Sequence, residues 1–100
     1  MPAYAMLTRE KTRIPAELET YNSLVKPTFA GHPMKVLAMH SKPEAVEGAP
    51  AEDVVMLEFP SVEAAKAWHQ GAEYQRVAEH RYKGGDYRFL IFEGISQDIS

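Results

Sequence analysis

Cysteine is absent from this chain of 100 residues. Its absence excludes disulfides, thiolate nucleophiles and Cys-based zinc or iron–sulfur centres together, and leaves packing to hold the fold. No apolar run approaches the roughly 20 residues that cross a bilayer. The opening residues Met1-Pro2-Ala3-Tyr4 lack the basic and apolar regions of a secretory leader, so a soluble, cytoplasmic protein without a membrane partner is expected. Also missing is any concentration of positive charge: 11 Lys and Arg are spread among 14 Asp and Glu for a formal charge of −3. A phosphate backbone finds no docking stripe there, and nucleic acid is not an expected partner. The chain has no phosphate-cradling glycine loop, nucleophile elbow, paired-carboxylate motif or His-Glu-x-x-His spacing. Gly84-Gly85 is too short to cradle a phosphate. No metal site and no cofactor are expected.

What remains is an apolar fraction of 45%, enough for one core and one domain spanning residues 1–100. Ala3 to Thr8 alternates as a first strand. Pro15 suits an initial helical position, and Ile14, Leu18, Tyr21 and Val25 follow at the spacing of one helical face. Pro27 lacks the amide needed to continue that helix. Met34 to His40 is a second strand, and Lys42 to Asp53, with Pro43, Gly48 and Pro50, is an exposed connection. Val54 to Phe59 is the clearest strand. Pro60-Ser61 closes it and supplies an N-cap for a helix bearing Val62, Ala65, Trp68 and His69 on one face. Gly71 interrupts, Tyr74, Val77, Ala78 and Arg81 continue a second helical segment, and Gly84-Gly85-Asp86 forms a turn. Tyr87 to Glu93 is the fourth strand, and Gly94 to Ser100 a polar tail.

The order βαββαβ implies an α+β, ferredoxin-like domain: a four-stranded antiparallel sheet with helices on one face. The other face should be polar in a monomer. Here the third strand sends Val55, Leu57 and Phe59 one way and Val54 and Met56 the other, while the fourth sets Leu90 and Phe92 against Tyr87, Phe89 and Ile91. Both faces are apolar, and an uncovered patch of that kind is unusual on a soluble monomer. The expected cover is a second copy, giving a homodimer through the sheet face.

Val46-Glu47-Gly48, Leu57-Glu58-Phe59-Pro60-Ser61, Ala64-Ala65-Lys66-Ala67-Trp68, Glu73-Tyr74-Gln75, Arg81 and Phe92-Glu93-Gly94 occur in fixed order along most of the chain. In this the chain resembles the DUF1330 family of the dimeric α+β barrel superfamily. The resemblance implies the fold and the dimer. It implies no single activity, since that superfamily includes cofactor-free monooxygenases, haem proteins, isomerases and structural modules. The chain departs from the family pattern at His32-Pro33, before the second strand, and at Met39-His40-Ser41, after it.

Imidazole titrates near neutrality, so the histidines are the first candidates for proton transfer. His69 and His80 would align only on an unbroken helix. His40, at the end of an otherwise apolar strand, is the leading candidate acid or base. Glu58 shares its face with Val54 and Met56, and Arg81 or Arg88 is its expected counter-charge, either in a structural pair or as part of a site. Trp68 and Tyr74 are core anchors or the floor of an apolar ligand pocket. The candidate catalytic set is therefore His40, Glu58 and Arg81, with Trp68 and Tyr74 binding a small apolar or aromatic molecule between sheet and helices. The competing reading is a non-catalytic dimeric module whose polar residues satisfy the interface. A third, haem held by a histidine, would show a Soret band.

Overall fold

The computed structural model describes residues 1–95, so the expected polar tail lies outside the described residues from position 96 onward. The chain runs β1 (Ala3–Thr12), α1 (Pro15–Val25), a 3-10 turn (Lys26–Phe29), β2 (Lys35–Ser41), β3 (Asp53–Phe59), α2 (Val62–Gln70), α3 (Ala72–Gly84) and β4 (Gly85–Glu93). The strands lie in the order β2-β3-β1-β4, with every neighbouring pair antiparallel. β3 thus sits between β1 and β2, and β1 between β3 and β4, which is the ferredoxin-like arrangement of two split βαβ units.

Strand alternation decides which residues meet the helices. Ala3, Ala5 and Leu7 of β1 and Asp53, Leu57 and Phe59 of β3 are buried. On the opposite face Met6 lies across from Met56 on one side and Leu90 on the other, and Tyr4 lies between Glu58 and Phe92. Leu90 and Phe92 remain 42% and 41% exposed in the single chain. The two-faced apolar character read from the sequence is present.

Helix ends follow local chemistry. Pro15 opens α1, whose Leu18, Tyr21 and Val25 are buried; Ile14 caps the helix instead of joining that face and stays exposed. Pro27 falls in the 3-10 turn that follows α1. At α2, the Ala64 amide donates to Ser61 Oγ at 3.0 Å, as an N-cap serine should allow. Gly71, in extended backbone, separates α2 from α3.

Two further expectations need correction. β1 runs to Thr12 instead of ending at Thr8, because its charged end pairs with β4 through Thr12 and Gly85. Glu52 draws that end together, accepting from Arg9 Nε at 3.1 Å and Thr12 Oγ1 at 2.6 Å. The expected turn at Gly84-Gly85-Asp86 is instead a direct junction, with Gly84 closing α3 and Gly85 opening β4. Gly84 O accepts the amides of Arg13 and Ile14 at 2.7 and 3.0 Å. A Cβ at Gly84 would stand 2.5 Å from Leu18 Cδ2, so the glycine is fixed by the close approach of α1 and α3.

The core lies between helices and sheet and centres on Trp68, 2% exposed. Its ring packs against Phe29, Phe59, Tyr74 and Phe89 at centroid separations of 5.9, 5.8, 4.3 and 6.2 Å. Its indole N–H donates to Thr28 Oγ1 at 3.1 Å, which meets the polar requirement of a buried indole. Among the described residues no helix is long and apolar enough to cross a membrane.

Candidate functional site

A narrow cavity with free space of about 20 Å3, room for roughly one water molecule, lies between the helix-facing side of the sheet and α1. Leu7, Val25, Phe29, Val55, Leu57 and Trp68 give it apolar walls. Its polar groups are His40, Asp53, Asn22 and the phenols of Tyr21 and Tyr87.

His40 and Asp53 meet because β2 and β3 pair antiparallel, bringing the end of one beside the start of the other. His40 Nδ1 lies 3.0 Å from Asp53 Oδ2. The carboxylate side chain is only 11% exposed and the imidazole 43%, so the acid is sheltered while the base reaches solvent. A carboxylate on Nδ1 favours the proton on that nitrogen and leaves Nε2 as the acceptor. His40 also has the positive φ of 53°, alone among the described non-glycine residues. The left-handed backbone comes where β2 loses register with β3, between Ala38 and Ser41. β-bulges re-aim side chains in this way.

A second polar group lies deeper. Tyr21 and Tyr74 hydroxyls are 2.8 Å apart, and Arg81 Nε donates to Tyr74 Oη at 3.2 Å. Burial, reinforced by Tyr74, holds the Tyr21 phenol far above its ordinary 10.0. Burial raises Tyr74 as well, against the opposing pull of Arg81. Tyr87 is raised by burial, with Arg9 opposing. All three are neutral hydrogen-bonding groups at physiological pH.

Arg81 is 5% exposed. Its guanidinium carbon stands 4.8, 5.1 and 5.4 Å from the ring centres of Tyr82, Tyr87 and Phe89. It takes part in none of the ion pairs among the described residues. It lines a second, open cleft with His69 and Tyr87, and Tyr87 lines the first cavity as well.

The expected residues therefore divide. His40 and Trp68 line one cavity. Tyr74 lies behind it, joined by hydrogen bonds to Tyr21 and Arg81. Glu58 belongs to neither group. It lies on the open face, opposite Tyr4 and Lys35, and lines a surface groove with Lys35 and Pro33. The expected Glu58–Arg81 pair is not formed, because alternation along β3 turns Glu58 away from α3. Arg88 shares the open face but is exposed, and no ion pair among the described residues joins it to Glu58. The break at Gly71 keeps His69 and His80 on separate helices, and His80 Nδ1 instead lies 3.2 Å from Glu17 Oε1. Among the described residues no three His, Asp or Glu side chains gather to hold a metal ion.

Asp53, expected at the end of the exposed connection, is instead the first residue of β3 and is buried. Carrying the alternation Phe59, Leu57, Val55 back one further step would have put Asp53 on the helix-facing side. Tyr21 and Tyr87 were seen as helix and strand residues; their convergence depends on tertiary packing.

The family described as "Domain of unknown function (DUF1330)" matches residues 2–95. No curated protein sequence matches the chain. Among solved structures, RPA0582, described as a protein of unknown function from Rhodopseudomonas palustris, is similar with a TM-score of 0.73 at 18% identity, over 95% of this chain and 83% of that one. A protein from Bacteroides fragilis, described as dimeric, of unknown function and ferredoxin-like fold, gives 0.62 at 12% identity, over 93% and 96%. SnoaB, a cofactor-independent oxygenase from Streptomyces nogalater, gives 0.60 at 12% identity, over 100% of both chains. At these identities the likeness is one of fold.

Proposed function

The chain belongs to the DUF1330 family, and from that premise we propose that it is a homodimer binding a small apolar or aromatic molecule at the narrow cavity beside His40 and Asp53, whose walls part to admit the ligand because the free space is only about 20 Å3. The observation that carries the reading is the distribution of lining groups. Apolar walls, Trp68 among them, surround a space with an oriented imidazole–carboxylate pair among its few polar groups. Small-molecule sites have this composition: largely apolar, with a few placed polar groups that fix orientation.

The pair supplies acid–base chemistry. A ligand hydroxyl or acidified C–H placed at Nε2 gives its proton to His40. The imidazolium formed is steadied by Asp53, and the proton returns to the ligand or its product from the same nitrogen. Such a transfer draws on side chains alone. It is consistent with a fold that also serves a cofactor-independent oxygenase, although fold by itself assigns no reaction. Tyr87 adds a neutral hydrogen-bond donor to the same cavity.

The second copy covers the open sheet face. Met6, Met56, Leu90 and Phe92 form a continuous apolar surface there, and a structural neighbour is described as dimeric.

The sole tryptophan of the chain, Trp68, lines the cavity and serves as reporter. Titration with phenol and 1-naphthol should quench its emission saturably. His40→Ala should weaken naphthol binding by about tenfold, the worth of one charge-assisted hydrogen bond, and affect naphthalene little. No quenching by any of these compounds, or equal binding to wild type and His40→Ala, would remove the reading.

A further inference from the structure

We propose that the cleft between α2, α3 and the edge strand β4 is a second ligand site, which takes a small aromatic carboxylate with Arg81 holding the carboxylate group. The site shares Tyr87 with the His40 cavity, but its other lining residues and its chemistry differ. Its lining includes Arg81, His69, Arg13, Asp86, Tyr87 and Phe89, and its volume is about 790 Å3 including the open mouth.

The argument begins with charge. Arg81 is a buried cation without a carboxylate partner among the described residues. A buried charge is costly unless something of opposite sign meets it. Asp86, the cleft's acid, is engaged by Arg13. Arg13 is further anchored by donating to the Tyr82 carbonyl at 2.5 Å. The aromatic rings beside Arg81 offset part of its charge through their faces, but they do not neutralise it. One positive charge is left over, and where it faces the cleft a monoanion can meet it.

Hydrogen bonding points the same way. Arg81 spends Nε on Tyr74, and its terminal nitrogens donate to no side chain or carbonyl among the described residues. Every fully buried polar side-chain atom there has a partner. The terminal nitrogens are therefore reached through the cleft, and they present the paired donors that fit a carboxylate.

The walls select the rest of the ligand. Phe89 and Tyr87 are flanking rings. His69 packs edge-on to Phe89 at 4.8 Å and against Tyr74 at 5.6 Å. Burial and then Arg81 depress the His69 pKa, so the ring enters the cleft as a neutral aromatic surface. A single cation between aromatic walls favours a flat monoanion over a compact, doubly charged phosphate.

The test uses the wild-type protein with benzoate, benzyl alcohol and inorganic phosphate, followed by NMR of the histidine rings. Benzoate should shift the His69 ring signals saturably at millimolar concentration and leave His40 unmoved. Benzyl alcohol and phosphate should each bind at least about tenfold more weakly. Arg81→Met, where it folds, should lose the benzoate response, and Arg81→Lys should keep part of it. The proposal is overturned if benzyl alcohol or phosphate matches benzoate, if His40 responds in place of His69, or if nothing saturates. A shift at His40 alone would overturn this site while leaving the His40 cavity intact.

Discussion

His40 reaches Asp53 from a left-handed backbone: its Nδ1 stands 3.0 Å from Asp53 Oδ2 while its φ is 53°. A side chain in that region costs roughly 1–2 kcal/mol relative to the right-handed form, and glycine escapes the cost. His40→Ala keeps the strained backbone and loses the imidazole, whereas His40→Gly loses both. The glycine variant should therefore be more stable than the alanine variant by roughly 1 kcal/mol in urea denaturation. Both should lose 1-naphthol affinity equally. A glycine variant no more stable than alanine would show that the backbone at position 40 relaxes when the pair with Asp53 is removed.

Tyr21, Tyr74 and Arg81 form a buried hydrogen-bonded chain, and Tyr74 is its middle member. Tyr74→Phe leaves both neighbours without a partner and should cost about 1–3 kcal/mol. Tyr21→Phe breaks one link and should cost about 1 kcal/mol. Tyr21→Phe introduced on top of Tyr74→Phe should then add little, because the shared hydroxyl is already gone. Additive losses in chemical denaturation would argue against a coupled chain.

The same phenols set an alkaline limit. Folding raises Tyr21, Tyr74 and Tyr87 above their ordinary 10.0. Above that pH the unfolded chain releases protons that the folded chain retains, so stability falls as pH rises. Their contribution is intact below pH 10 and declines from there upward. Absorbance at 295 nm should show Tyr21 and Tyr74 ionising only with loss of the folded circular dichroism signal. Their titration in the folded state near pH 10 would contradict the burial.

Much of the architecture was legible because alternation and capping are local. Val54 to Phe59 announced both faces of the sheet, Ser61 announced α2, and Gly71 its end. The end of β1 was not legible, since Arg9-Glu10-Lys11 carries no apolar period and is held by pairing with β4 and by Glu52. His40 was visible as a polar interruption of an apolar strand. Its partner was not, because Asp53 follows a run of loop residues and joins the sheet by pairing with the distant Arg9 of β1. Glu58 and Arg81 seemed natural partners by charge. One is a strand residue on the open face and the other lies on α3, so the sheet itself separates them.

His69 sets the acid side. Its pKa is lowered, first by burial and then by Arg81. Below its ordinary 6.5 the unfolded chain takes up a proton that the folded chain resists, so its contribution is present above pH 6.5 and lost as pH falls. Arg13, Asp86 and Tyr87 share the cleft with it. Arg81→Met removes the second cause and leaves the first. The His69 midpoint, followed by NMR, should rise in that variant without reaching the value of a free imidazole. An unchanged midpoint would mean that Arg81 is screened from His69 by solvent in the cleft.

Met6 occupies the middle of the open face, in register with Met56 on β3 and Leu90 on β4. If a second copy covers this face, position 6 lies near the centre of the contact, where a charge cannot keep its water. Burying an unpaired ammonium costs several kcal/mol, so Met6→Lys should weaken the dimer by about a hundredfold or more, a change of roughly 3 kcal/mol in association free energy. Lys66 is exposed on α2, away from that face, and Lys66→Glu serves as the control for an equally drastic change of charge. Sedimentation velocity across a concentration series should show a monomer for Met6→Lys and a dimer for wild type and Lys66→Glu. The isolated Met6→Lys chain should keep its helix–sheet core, since Met6 points away from Trp68, and its Trp68 emission should match wild type. A wild-type chain that sediments as a monomer at all concentrations would refute the dimer, and a Met6→Lys chain that remains dimeric would move the interface off the sheet.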